Sequence, residues 1–250
     1  MEKWMNYECD KFIFEDHEAI VVKPQTAVSG YLAIKTEYWS EIAYAIELGL
    51  LENGFHLCYI KNDNRWGVPE DLDRKARFVR FVQKQYGLHQ KCVPIGMSCG
   101  GLIAIKFAAR YPELVQCMYL DAPVVNYMSC PCGFGIRNRC SADSDYSEIL
   151  NALRLNSLAE LMAYRDMPLD HLDTLVKNRL PVVMVAGDSD ITVPYHENGV
   201  FLEQAYKDAD VDIEVYIKPG CGHHPHGLEN SQEPLDFILR HCYLNDSKEM

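Results

Sequence analysis

The chain has 250 residues, 48% of them hydrophobic, enough to bury a sizeable core in a single α/β domain. A formal net charge of −12 argues against nucleic acid or an anionic membrane as a main partner, because both reward a basic surface. The opening residues, MEKWMNYECDKF, lack the apolar stretch of an export signal and no run reaches membrane-spanning length, so the ten cysteines are read as reduced, mostly buried thiols of a cytoplasmic protein.

In chain order, FIF and AIVV predict an antiparallel hairpin at one edge of a sheet. Six short β-rich runs follow: YLAIK (31–35), FHLCYI (55–60), KCVPI (91–95), CMYLD (117–121), PVVMVAG (181–187) and IEVYIK (213–218). They alternate with helix-like segments, which implies right-handed crossovers and a mostly parallel sheet. After the first run, Trp39, Ile42, Ala43 and Ile46 recur at helical spacing until the capping signal Asn53-Gly54. Leu72, Ala76, Val79, Val82 and Tyr86 make a second stripe, closed by Gly87. Pro94 would remove a ladder hydrogen bond from a central strand, so a bulge is expected near it. The run LIAIKFAA is apolar nearly all round, as in a helix buried against a sheet, and Tyr111-Pro112 ends it. No strand is evident over 124–178, which reads as a cap-like insertion within one domain spanning 1–250. Its Tyr127, Phe134, Arg137 and Arg139 either line a polar substrate site or serve as core aromatics and solvated arginines.

Gly96-Met97-Ser98-Cys99-Gly100 matches G-x-S-x-G with a strand before it and a helix after it. A turn this sharp strains the serine and exposes its hydroxyl, and only small neighbours leave room for it. The loop has neither the Gly-Lys-Ser/Thr of a phosphate-binding loop nor G-x-G-x-x-G. A serine hydroxyl is a weak nucleophile and needs a histidine base oriented by a carboxylate. Both types stand downstream at strand ends. Asp188 and Asp190 follow PVVMVAG; His223, His224 and His226 follow IEVYIK. Asp121 also ends a strand and is read as structural. Cys99, at a helix N-terminus, is a rival nucleophile, although Ser98 holds the apex.

The order of these runs, the elbow, GDSDITVP and GCGHHPHGL together resemble the α/β-hydrolase superfamily from about Phe12 to Cys242. The resemblance implies an α/β-hydrolase fold, a mostly parallel twisted sheet with helices on both faces. It implies Ser98 as nucleophile, Asp190 as acid and His223 as base. The oxyanion hole should then combine the backbone N–H of Cys99 with one from the loop after YLAIK, at Lys35 or Thr36. The similarity extends to esterases acting on small or acylated carbohydrate esters, with a prolyl-oligopeptidase-like peptidase or amidase as the rival enzyme. Two further readings belong to other classes: a binding module with a relict triad, and a metal-binding protein. Cys130 and Cys132 with Cys140, and the three loop histidines, are ligand-type clusters without the paired spacing of a zinc site, so no cofactor is expected and the partner is a small ester.

Overall fold

A computed structural model describes residues 2–26, 28–40, 45–136 and 143–246. Among these residues the chain forms nine strands in one sheet, ordered β1-β2-β3-β5-β4-β6-β7-β8-β9. The first three, β1 (Glu2–Trp4), β2 (Tyr7–Phe14) and β3 (His17–Val22), form an antiparallel meander. The predicted hairpin is therefore one strand in from the edge, and the three-residue β1 is too short to show any alternation in the sequence. From β5 (His56–Ile60) onward the sheet is parallel through β4 (Leu32–Lys35), β6 (Cys92–Met97), β7 (Met118–Asp121), β8 (Val182–Gly187) and β9 (Ile213–Lys218). The carboxyl ends of these six strands line one edge of the sheet, where parallel α/β folds place their ligands.

The sheet separates two apolar layers, because alternate residues of each strand point to opposite faces. Leu32 and Ile34 of β4 join one layer and Ala33 the other. The larger layer holds α2 (Pro69–Tyr86), α3 (Cys99–Arg110) and α7 (Gly199–Asp208); the smaller holds α1 (Ala45–Glu52) and α8 (Gln232–Asp246). Helix α2 starts with Pro69 and ends at Gly87, whose φ of 66° is the left-handed cap that glycine adopts cheaply. Helix α3 is buried from Cys99 through Ala108. The first predicted helix is shorter than its stripe: Trp39 lies in a turn stacked on Tyr59, while Ile42 and Ala43 fall outside the described residues. No helix among the described residues is long and apolar enough to cross a membrane.

β6 pairs with β4 in unbroken register, Ile34 opposite Pro94, and the expected bulge lies on the other side: Cys92 bridges Val115 while Ile95 pairs with Tyr119, three steps along β6 against four along its neighbour. The Cys92 carbonyl accepts from Gln116 beside β7, and the Ile95 carbonyl accepts from Thr36 beside β4. Pro94 alternates with Ile95 and so faces β7, whose ladder with β6 begins only at Ile95 opposite Tyr119. The extra residue on the β7 side carries the pairing past the missing N–H.

Within 124–178 the described residues form helices α4 (Asp143–Leu153), α5 (Leu158–Ala163) and α6 (Leu172–Lys177) and no strand. Tyr127 is fully buried between Trp66 and Tyr164, a core aromatic and not a site-lining one. Phe134 is exposed; Arg137, Arg139 and Cys140 lie outside the described residues. Cys130 and Cys132 are buried.

Candidate active site

Ser98 joins β6 to α3 with φ 52° and ψ −119°, a left-handed backbone that a side chain adopts only under strain. Two hydrogen bonds hold it there: its N–H donates to the Asp121 carbonyl (2.9 Å), and its carbonyl accepts from Val124 (3.1 Å). The crossing is tight enough to require glycine. A Cβ on Gly96 would strike the Gly100 carbonyl, and one on Gly101 would lie 2.5 Å from Pro123 Cβ. Gly101, outside the motif as read from sequence, is thus as constrained as Gly96. Ser98 is partly exposed while Met97, Cys99 and Gly100 are buried. Burial pushes the Cys99 thiol up to about 11 against the pull of nearby Arg65, so at neutral pH it is protonated and a poor nucleophile.

Two loops at the same sheet edge carry Asp190 and His223, the expected acid and base. Asp190, three residues past β8, lies with its Oδ2 2.7 Å from His223 Nδ1, and its Oδ1 accepts the N–H groups of Thr192 (2.7 Å) and Val193 (2.9 Å). Burial pushes this carboxyl up, but the His223 contact and the two backbone donors outweigh it and hold it below the usual aspartate value. An ionised carboxylate only accepts, so the Nδ1 proton sits between the two groups and Nε2 carries a lone pair. Asp188 does something else: its Oδ1 accepts from Gly220 (2.7 Å), tying the two loops together.

The histidine loop folds back from β9 across β8 and β7. Ser189 donates to the Cys221 carbonyl (3.0 Å), and a Cβ on Gly187 would strike the Cys221 and Gly222 carbonyls, which is why β8 ends in glycine. Further along, His226 Nδ1 lies 3.0 Å from Asp121 Oδ1, and Gly227 donates to Asp121 Oδ2. Asp121 is the residue whose carbonyl holds Ser98, so one strand end fixes both the elbow and the loop bearing His223. Sequence reading treated Asp121 as structural without finding this partner. The signal was its place at the end of β7, on the edge shared with Ser98 and Asp190. His224 is exposed.

On the β4 side the expected oxyanion donors are Lys35 and Thr36. The N–H of Thr36 donates to the Ile95 carbonyl (3.0 Å), and its hydroxyl lies 2.7 Å from the Gly100 carbonyl. Lys35 is the last residue of β4, with its ammonium buried 2.8 Å from Glu47. The next amide, Glu37 N, is 3.6 Å from where a Gly100 Cβ would stand, which puts it beside the first turn of α3. On the other side the Cys99 N–H belongs to that first turn, where no intrahelical acceptor exists.

A family model described as the alpha/beta hydrolase fold matches residues 69–134, from α2 through β7 and the elbow. A search of curated proteins finds no match. Among solved structures, the acylaminoacyl peptidase of Pyrococcus horikoshii superposes with a TM-score of 0.67 at 15% identity, covering 97% of this chain and 41% of the peptidase. Est1E from Butyrivibrio proteoclasticus gives 0.64 at 15% identity, covering 94% of this chain and 99% of its own. MGS-MChE2, an alpha/beta hydrolase enzyme from a lagoon-sediment metagenome, gives 0.54 at 16%, covering 96% and 99%. The chain thus spans about two fifths of the peptidase and nearly the whole of the two smaller proteins. By the order of its sheet and by these likenesses, this chain has the α/β-hydrolase fold.

Proposed function

We propose that the protein is a serine hydrolase that cleaves a small carboxylic ester through Ser98, His223 and Asp190. One observation carries the reading: a strained, partly exposed serine shares its sheet edge with a histidine held 2.7 Å from a buried aspartate. His223 Nε2 takes the hydroxyl proton as Ser98 Oγ attacks the carbonyl carbon, and Asp190 stabilises the imidazolium that forms. The oxyanion is received by the N–H groups of Cys99 and Glu37. Collapse of the tetrahedral adduct releases the alcohol with the His223 proton. Water, deprotonated by the same nitrogen, then frees the acid from the acyl-enzyme.

The ester is the less demanding substrate. An alkoxide leaves with little help, whereas an amine must be protonated as it departs, so a triad that cleaves amides also cleaves the matched ester. The second reading, a peptidase or amidase, draws on the likeness to acylaminoacyl peptidase, though this chain spans only 41% of that protein. Segment 124–178 supplies the cap in either reading. Glu197 and Asn198 hold it beside the Asp190 loop, Glu197 accepting from Ser129 (2.6 Å) and Asn198 from Val125 and Asn126 (3.0 Å each).

Labelling with a fluorophosphonate, located by peptide mass spectrometry, tests the mechanism. Modification is expected at Ser98 and lost in Ser98→Ala with the fold unchanged. Turnover that survives in Ser98→Ala removes this serine from the reaction. Amide turnover matching that of the corresponding ester would favour the peptidase.

A further inference from the structure

Three imidazoles meet in the loop after β9, and the proposed triad uses only one. His223, His224 and His226 each offer a ring nitrogen within 4.8 Å of the other two. Their rings are mutually edge-on, with centroids 4.7 to 5.0 Å apart and planes at 74° to 78°. Two of the three are also braced as metal-bound imidazoles are. His223 Nδ1 lies 2.7 Å from Asp190 and His226 Nδ1 3.0 Å from Asp121, both carboxylates being buried. Such a bond fixes the ring and makes Nε2 the coordinating nitrogen. The carboxylates also place negative charge behind the cluster, where a divalent cation gains from it. His224 is exposed and opens the cluster to solvent.

Tetrahedral zinc bound at 2.0–2.1 Å sets its nitrogens about 3.4 Å apart. The three ring nitrogens, within 4.8 Å of one another, would have to draw together to that spacing around an ion. We infer that His223, His224 and His226 bind one Zn²⁺-like transition-metal ion, with water in the remaining position, and that occupancy switches the hydrolase off. The ion takes the lone pair of His223 Nε2, which then cannot accept the Ser98 proton. No bond of the protein is broken, so removing the ion restores the base. The inhibition rests on the proposed role of His223; the binding does not.

The test uses the whole chain, stripped with EDTA, and Zn²⁺ itself. Competition with a chromogenic chelator is expected to give one zinc per wild-type chain, bound at least ~10-fold more weakly in His224→Ala and His224→Gln. Both variants keep metal-free activity, since His224 holds no part of the triad. Fluorophosphonate labelling of Ser98 should be blocked by Zn²⁺, restored by EDTA and unaffected by Mg²⁺, which imidazole sites do not favour. Equal zinc affinity in wild type and both variants overturns the site. Zinc-edge X-ray absorption on the wild type decides the matter without any variant: three imidazole nitrogens at about 2.0 Å support the site, and fewer than three overturn it. Zinc binding with undiminished labelling overturns the inhibition alone. No labelling of the metal-free protein means the proposed hydrolase has failed, and the zinc titration and absorption spectrum then still judge the site.

Discussion

Asp188 and Asp190 stand two positions apart in one turn, yet one ties two loops together and the other faces His223. The difference lies in where the loop after β9 comes to rest. Changing Asp190 to asparagine leaves the two backbone acceptor bonds to Thr192 and Val193 possible but offers Nδ1 of His223 either an acceptor or a donor. With the wrong tautomer, Nε2 holds a proton and cannot act as base. The expected loss in kcat/KM is about 10²- to 10⁴-fold, with KM little altered, measured on an ester that labels Ser98 in the wild type. A loss below tenfold would mean that His223 does not depend on Asp190. The three residue types and their order were legible in the sequence, because each follows its own strand. The partner of His226 was not legible, since Asp121 lies 105 positions away and only the fold brings the two together. That Thr36 gives its amide to the Ile95 carbonyl was not legible for a similar reason: it depends on how β4 lies against β6, and no local pattern encodes that.

At the scale of elements, β6 and α3 cross so closely that the elbow's glycines are packing positions. Alanine at Gly101 sets a methyl 2.5 Å from Pro123 Cβ and 2.8 Å from its Cα, so the helix or the β7 loop must move. The expected cost is about 1–3 kcal/mol in urea unfolding, together with slower labelling of Ser98, because the same movement disturbs the serine's strained backbone. Gly87→Ala is the control. Its φ of 66° is unfavourable for alanine, but a Cβ there meets nothing within 4 Å. Gly87→Ala should cost about 1–2 kcal/mol and leave the labelling rate unchanged. Equal effects of both variants on labelling would mean that the elbow senses global stability only. The strands flanking this crossing were readable from their β-branched runs, and α2 from its stripe and cap. Tyr127 was ambiguous because an aromatic in an irregular segment carries no period to say which way it faces.

For the whole molecule, the helix that follows Ser98 also anchors segment 124–178. Lys106, on α3 and buried, lies 2.9 Å from Asp166, which in turn lies 2.6 Å from His171 and 3.0 Å from the Tyr164 hydroxyl that donates to it. Burial pushes the Asp166 carboxyl up, but the His171 hydrogen bond and the Lys106 charge outweigh it and hold it far below the usual aspartate value. Asp166→Asn keeps the shape and removes the charge, leaving Lys106 buried without its counter-ion. Because the Asp166 side chain is 35% exposed, the expected loss at pH 7 is about 1–3 kcal/mol, less than for a fully buried pair. The pH dependence follows from the sign of the shift. A carboxyl whose folded value is depressed contributes fully above its unfolded value of about 3.9, and that contribution is lost as pH falls through the folded value. The gap between wild type and Asp166→Asn in urea unfolding should therefore narrow below about pH 4. Asp190 is also depressed, but it is present in both proteins and cancels from the difference. A gap that stays constant to pH 3 would show that Asp166 acts through packing and not through its charge. If the insertion only covers the site, labelling of Ser98 at pH 7 will survive the substitution; if the Lys106 tether also sets the pitch of α3, labelling will slow as stability falls.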